Sequence, residues 1–108
     1  MDIFSTVLDV CSEHLGISKE AIVSPTRKQD VVTARFMTMK FAKKYTTLSL
    51  ASIGMKTGDR HYSTVINALK QFDDLYDTIS AFKSAANTIE RKLELALAKD
   101  LEYEFLSK

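Results

Sequence analysis

Apolar residues recur at helical spacing through most of the chain. Phe4, Val7, Leu8, Cys11 and Leu15 fall on one face of a helix expected over residues 2–15, with Gly16 as its stop. Ser18 is placed to cap a short helix, Lys19 to Ile22, before Ser24-Pro25 breaks the chain. After the polar, basic stretch Thr26-Arg27-Lys28-Gln29, Asp30 reads as the N-cap of a long helix from Val31 to Tyr45. Val31, Ala34, Met37, Thr38, Phe41 and Tyr45 share one face, and Val32, Phe36 and Met39 another. A helix apolar on more than one side is expected at the centre of a small bundle, with its methionines as core filler.

The texture changes after residue 46. Ser49 caps a brief helix with Leu50 and Ile53 inward, ended by Gly54, and Met55-Lys56-Thr57-Gly58 reads as a turn. A helix follows from near Asp59 or Arg60 to about Tyr76. Its expected inward stripe is Tyr62, Val65, Ile66, Leu69, Phe72 and Tyr76; its outward stripe is Arg60, Ser63, Thr64, Asn67 and Gln71. A short helix, a glycine-containing turn and a longer helix with a polar face are the parts of a helix-turn-helix. Asp77 to Lys108 contains no Gly or Pro, and Leu75, Ile79, Phe82, Ala86, Ile89, Leu93 and Ala96 alternate in steps of four and three, a heptad-like seam. Leu97, Leu101 and Phe105 continue a stripe. The first half of this helix is expected to pack back on the bundle. The distal part, Leu93 to Phe105, is expected to face a second copy or another protein.

The fold class is therefore all-α: a small helical bundle over residues 1–76 and a helical C-terminal extension over 77–108. With 108 residues, three glycines and one proline, the chain suits one helical domain and not a turn-rich all-β fold. No GxxxxGK[ST] string is present. The first ten residues have no basic region before their apolar positions, and no run approaches a membrane span, so neither a signal peptide nor a membrane partner is expected. Cys11, the single cysteine, reads as a core hydrophobe, and the expected location is a reducing cytoplasm, at the nucleoid. No cofactor or metal is implied: His14 and His61 lie in different segments without carboxylates at ligand spacing, and Asp73, Asp74 and Asp77 read as a solvated acidic stretch.

Fifteen basic residues face fourteen acidic ones, a net charge of +1. That near-balance hides a strong asymmetry. Residues 19–70 carry ten bases against three acids, a surplus of seven, while residues 1–18 and 71–108 are each at −3. The basic middle holds both the Arg27-Lys28 loop and the expected helix-turn-helix, and local field governs attraction to phosphates more than the total does.

Ser49-Leu50-Ala51-Ser52-Ile53-Gly54 followed by Gly58-Asp59-Arg60-His61-Tyr62-Ser63-Thr64-Val65 resembles the SLxxIG…GGRDHSTV pattern of the C-terminal DNA-binding domain (domain IV) of the bacterial replication initiator DnaA. Arg27, Val31, Ala34 and Arg35 resemble the spacing of an upstream R-x(3)-[VI]-x(2)-AR motif, continued by Met37 and Met39, and the likeness covers roughly residues 3 to 76. The resemblance implies a Trp-repressor-like fold that binds double-stranded DNA, with the recognition helix in the major groove and the basic loop in the adjacent minor groove. It implies Arg27 as the minor-groove arginine, Arg35 as a phosphate contact, and His61, Tyr62, Ser63 and Thr64 as the residues at the major groove. Lys28, Lys56, Arg60 and Asn67 complete the expected DNA-binding set.

The family's Asp-His pair is His61-Tyr62 here and its second glycine is Asp59, so the base preference at that step is expected to differ. The AAA+ ATPase module of DnaA is absent from the sequence, which reads as a stand-alone relative (a regulator, or a phage or mobile-element protein) or else an excised domain. The expected function is sequence-specific DNA binding without enzymatic activity, in replication initiation, its regulation or transcriptional control. The alternative is an adaptor that keeps the fold and has lost DNA readout.

Overall fold

A computed structural model describes residues 2–106, with side chains through Lys99. Among the described residues there are six helices and no strand: α1 (Ile3–Leu15), α2 (Lys19–Ile22), α3 (Gln29–Tyr45), α4 (Leu50–Lys56), α5 (Tyr62–Thr78) and α6 (Ser80–Leu106). Local chemistry sets most of the boundaries. The Asp2 carboxylate accepts the Phe4 N–H at the start of α1, and Gly16 ends it in the left-handed region at φ 68°. Ser18 and Ser49 hydroxyls accept the N–H groups of Ala21 and Ser52 and so cap α2 and α4.

Three boundaries differ from the sequence expectation. The cap of α3 is Lys28, not Asp30, and it makes no side-chain cap bond. Asp30 lies in the first turn, where its carboxylate accepts the Val31 N–H at 2.9 Å and meets the positive end of the helix dipole. Gly54 lies inside α4, which continues to Lys56. Finally, α5 begins at Tyr62, because Gly58 (φ 95°) and Asp59 (φ 56°) occupy the left-handed region and His61 provides the cap.

The core consists of two clusters on either side of α3. One joins Val7 and Cys11 of α1, Met37 and Phe41 of α3, Phe72 of α5, and Phe82, Ala86, Ile89 and Leu93 of α6. Edge-on ring contacts run through it, Phe41 to Phe72 at 5.7 Å and Phe72 to Phe82 at 5.2 Å. The other joins Phe4, Met39, Ala42, Ile53, Val65 and Ala68 and seats the helix-turn-helix pair, α4 and α5, against α1 and α3. The centre-of-bundle position expected for α3 is the one observed. The first half of α6 packs back on the bundle, with Phe82, Ala86 and Ile89 buried. Leu93, expected to begin a partner surface, is instead fully buried in the first cluster. Ile79 is 48% exposed because it occupies the bend between α5 and α6 and not a seam position. The side chains of Leu101 and Phe105 lie outside the described residues.

On α5 the inward stripe is Val65, Ala68 and Phe72, with Leu69 and Tyr76 half-buried. Tyr62 (49% exposed) and Ile66 (37%) were expected on it but face out. The small Ala68 fills the inward position and is buried in the second cluster.

Candidate nucleic-acid interface

The loop from Val23 to Lys28 and the turn from Thr57 to His61 are far apart in sequence but adjoin in space. A buried arginine holds the first in place. Arg35 is only 6% exposed. Its Nε donates to the carbonyl of Ile22 at 2.8 Å, and its Nη2 to those of Ser24 at 2.9 Å and Thr26 at 3.3 Å. These carbonyls belong to the C-terminus of α2 and the loop beyond it, where acceptors otherwise lack partners and a cation is favoured. Burial pushes the Arg35 pKa below its ordinary value, and the nearby charge of Arg60 adds to that. Charge-assisted bonds to three carbonyls offset the desolvation. Arg35 was expected to touch a phosphate; in this structure it grips the basic loop from beneath.

Arg60 grips the loop from the other side. It lies before α5, not on its outward stripe, and is half-buried. Its Nη2 donates to the Ser24 carbonyl at 2.7 Å, its Nη1 donates to the Thr57 carbonyl, and desolvation lowers its pKa. The turn closes over Gly54: the Arg60 N–H donates to the Gly54 carbonyl at 2.8 Å, and a Cβ on Gly54 would lie 2.2 Å from the Arg60 carbonyl oxygen. A Cβ on Gly58 would lie 2.2 Å from the Val23 carbonyl oxygen. Two backbone segments thus meet where only glycine fits.

Between loop and turn is a cleft of about 390 Å³, lined by Arg27, Arg35, Arg60 and Thr64 with Pro25, Thr26 and Gly58. Arg27 and Lys28 are exposed, as are His61, Tyr62, Ser63, Thr64 and Asn67 at the start of α5. Thr64 and Asn67 share a helix face by their spacing. His61 caps α5 through Nδ1, 3.2 Å from the Ser63 N–H, and its ring lies 4.4 Å from that of Tyr62. Lys56 is exposed at the end of α4, with its ammonium 5.9 Å from the Phe4 ring. The structure therefore gathers Arg27, Arg35, Arg60 and Thr64 around one cleft; Lys28 follows Arg27 in the loop, His61, Tyr62, Ser63 and Asn67 are exposed at the cap and in the first turns of α5, and Lys56 is exposed at the end of α4. Ser24 was not singled out. Its backbone carbonyl is what joins the two arginines, and a backbone acceptor leaves no mark in residue type.

The cleft has cationic walls, and no carboxylate lines it. Such a surface attracts anions, and the hydroxyls and amide at the start of α5 can donate and accept at close range. The fold and this site define a helix-turn-helix domain.

A model of the family described as "Bacterial dnaA protein helix-turn-helix" matches residues 4–71. The chromosomal replication initiator protein DnaA of Flavobacterium psychrophilum is 44% identical over 86 residues, covering 80% of this chain and 18% of that protein. Those of Bacteroides thetaiotaomicron and Caulobacter vibrioides are 32% and 34% identical over 88 and 82 residues, covering 82% and 76% of this chain and 19% and 17% of theirs. The chain belongs to the bacterial DnaA helix-turn-helix family, and it spans less than a fifth of the length of these relatives. Among the described residues no helix is long and apolar enough to cross a membrane.

Proposed function

We propose that this chain binds double-stranded DNA in a sequence-specific manner, in replication initiation, its regulation or transcriptional control, at the nucleoid and without catalysis of its own. The supporting observation is the uncompensated cationic cleft between the Arg27 loop and the start of α5. In this reading α5 enters the major groove with His61, Tyr62, Ser63, Thr64 and Asn67 at base edges or the groove wall, and Arg27 reaches the narrower, more negative minor groove. Lys28 and Lys56 meet phosphates. Arg35 and Arg60 position the loop and the turn, with the edges they leave in the cleft turned to the backbone.

Selection of bound sequences from a random duplex pool at fixed salt tests this. The expected result is one enriched sequence, bound more weakly as salt rises. Arg27→Ala is expected to weaken binding, and Ser63→Ala to relax preference at one position by about 1–3 kcal/mol at most. No binding at low salt, together with a defined protein partner, would replace this reading with that of an adaptor.

A further inference from the structure

The hydrogen bonds of the His61 ring favour one tautomer of the neutral imidazole. Its Nδ1 lies 3.2 Å from the backbone nitrogen of Ser63 and 2.9 Å from Ser63 Oγ. A backbone N–H only donates, so Nδ1 must offer its lone pair, and a neutral ring with a bare Nδ1 carries its proton on Nε2. The other tautomer could give its Nδ1 proton to Ser63 Oγ, but it would leave the Ser63 N–H, an orphan donor of the helix start, unsatisfied. The Tyr62 ring packs on the imidazole at 4.4 Å between centroids and 38° between planes, restraining its face while the cap restrains its edge. Nε2 is on the far side of the ring from the cap, and His61 is exposed.

We infer that His61 acts on DNA as a hydrogen-bond donor, its Nε2–H meeting an acceptor edge in the major groove, with guanine, whose O6 and N7 lie side by side, the base that fits best. The inference rests on the DNA-binding reading above and adds the polarity of one reading position. An aspartate in this place would cap α5 equally well through a carboxylate oxygen, but it could only accept, and would favour the exocyclic amine of cytosine or adenine. The histidine therefore leaves the fold intact while inverting which bases are accepted at that step.

The test selects duplexes with wild type, H61N and H61D at the same salt. Asparagine caps through Oδ1 and donates through Nδ2, so H61N is expected to enrich the wild-type sequence. H61D is expected to enrich a sequence that differs at one position, where cytosine or adenine replaces guanine, with the preference changed about tenfold. An unchanged H61D sequence overturns the inference and leaves DNA binding standing; no enrichment by any of the three at low salt overturns both. The free protein gives a separate readout: at about pH 8, where histidine is ordinarily neutral, long-range 1H–15N correlations should place the His61 proton on Nε2. A proton on Nδ1 overturns the inference.

Discussion

Arg35 and Arg60 both donate from Nη2 to the carbonyl oxygen of Ser24, at 2.9 and 2.7 Å. One comes from the central helix and the other from the turn of the helix-turn-helix, so a single backbone oxygen ties three segments together. Each guanidinium is a fork able to bond several carbonyls at once, which lysine cannot reproduce. Arg60→Ala is expected to lower stability by about 1.5–3 kcal/mol, the range for hydrogen bonds to charged groups. Because the two share an acceptor and repel each other, Arg35→Ala and Arg60→Ala should couple by more than about 0.5 kcal/mol in a double-mutant cycle. Urea unfolding of the four proteins measures this, and strict additivity would refute the shared tie.

Gly54→Ala distinguishes packing from propensity. Inside a helix, alanine is ordinarily better than glycine by about 1 kcal/mol. Here the added Cβ would collide with the Arg60 backbone at 2.2 Å, and backbone is not free to move aside. The expected result is a loss of about 1–3 kcal/mol, read as a lower midpoint in thermal unfolding. A gain would show that the turn does not close on α4.

The helix-turn-helix was legible because its residues are local: Ser49, the glycines and the Ser63-Thr64 pair lie within one short stretch. The core face of α3 was legible for the same reason, since periodicity reports which side is apolar. What the pattern could not convey was where each arginine spends its hydrogen bonds. Arg35 and Arg60 look like any surface cations in sequence, and only the three-dimensional approach of the Ser24 carbonyl turns them into braces. The late start of α5 was hidden too, because a histidine is an uncommon cap and Asp59 is not a glycine.

Leu93→Ala is expected to destabilise the protein by about 2–5 kcal/mol, as for other fully buried leucines. Leu95, two positions on, is 59% exposed, and its alanine variant should change stability by less than about 0.5 kcal/mol. Chemical denaturation of both checks whether α6 belongs to the core. An unaffected Leu93 variant would detach the helix from it.

Cys11 is fully buried, and burial raises its thiol pKa to about 12. At pH values near 8 almost none of it is thiolate, and the thiolate is the reactive form. Alkylation by iodoacetamide, followed by mass, should be negligible in the native protein and rapid in denaturant. Rapid native labelling would contradict the burial.

Glu90 accepts from the Lys44 ammonium and, at 3.1 Å, from the Tyr45 hydroxyl, which joins α6 to α3. The Lys44 bond is the main reason its pKa lies below the ordinary carboxylate value, against the opposing effect of burial. A carboxylate depressed on folding stabilises the native state above its unfolded pKa, about 4.3, and that stability is lost as pH falls through the lower folded value. Stability should therefore fall as pH drops below about 4.3, and Glu90→Gln should flatten that part of the curve. The measurement is the urea midpoint against pH for both proteins.

Gly58 lies so close to Val23 that an added Cβ would fall 2.2 Å from its carbonyl oxygen, and Arg60 bonds the Ser24 carbonyl across the same junction, so the loop and the turn are tied together by the protein's own contacts. On the DNA-binding reading, the chain then works as a fixed caliper. The spacing between its minor-groove and major-groove readings is set by the protein and cannot stretch to suit the duplex. One extra base pair between the two half-readings moves them about 3.4 Å along the axis and turns them by about 35°, so a site lengthened in this way would lose one half of its contacts outright.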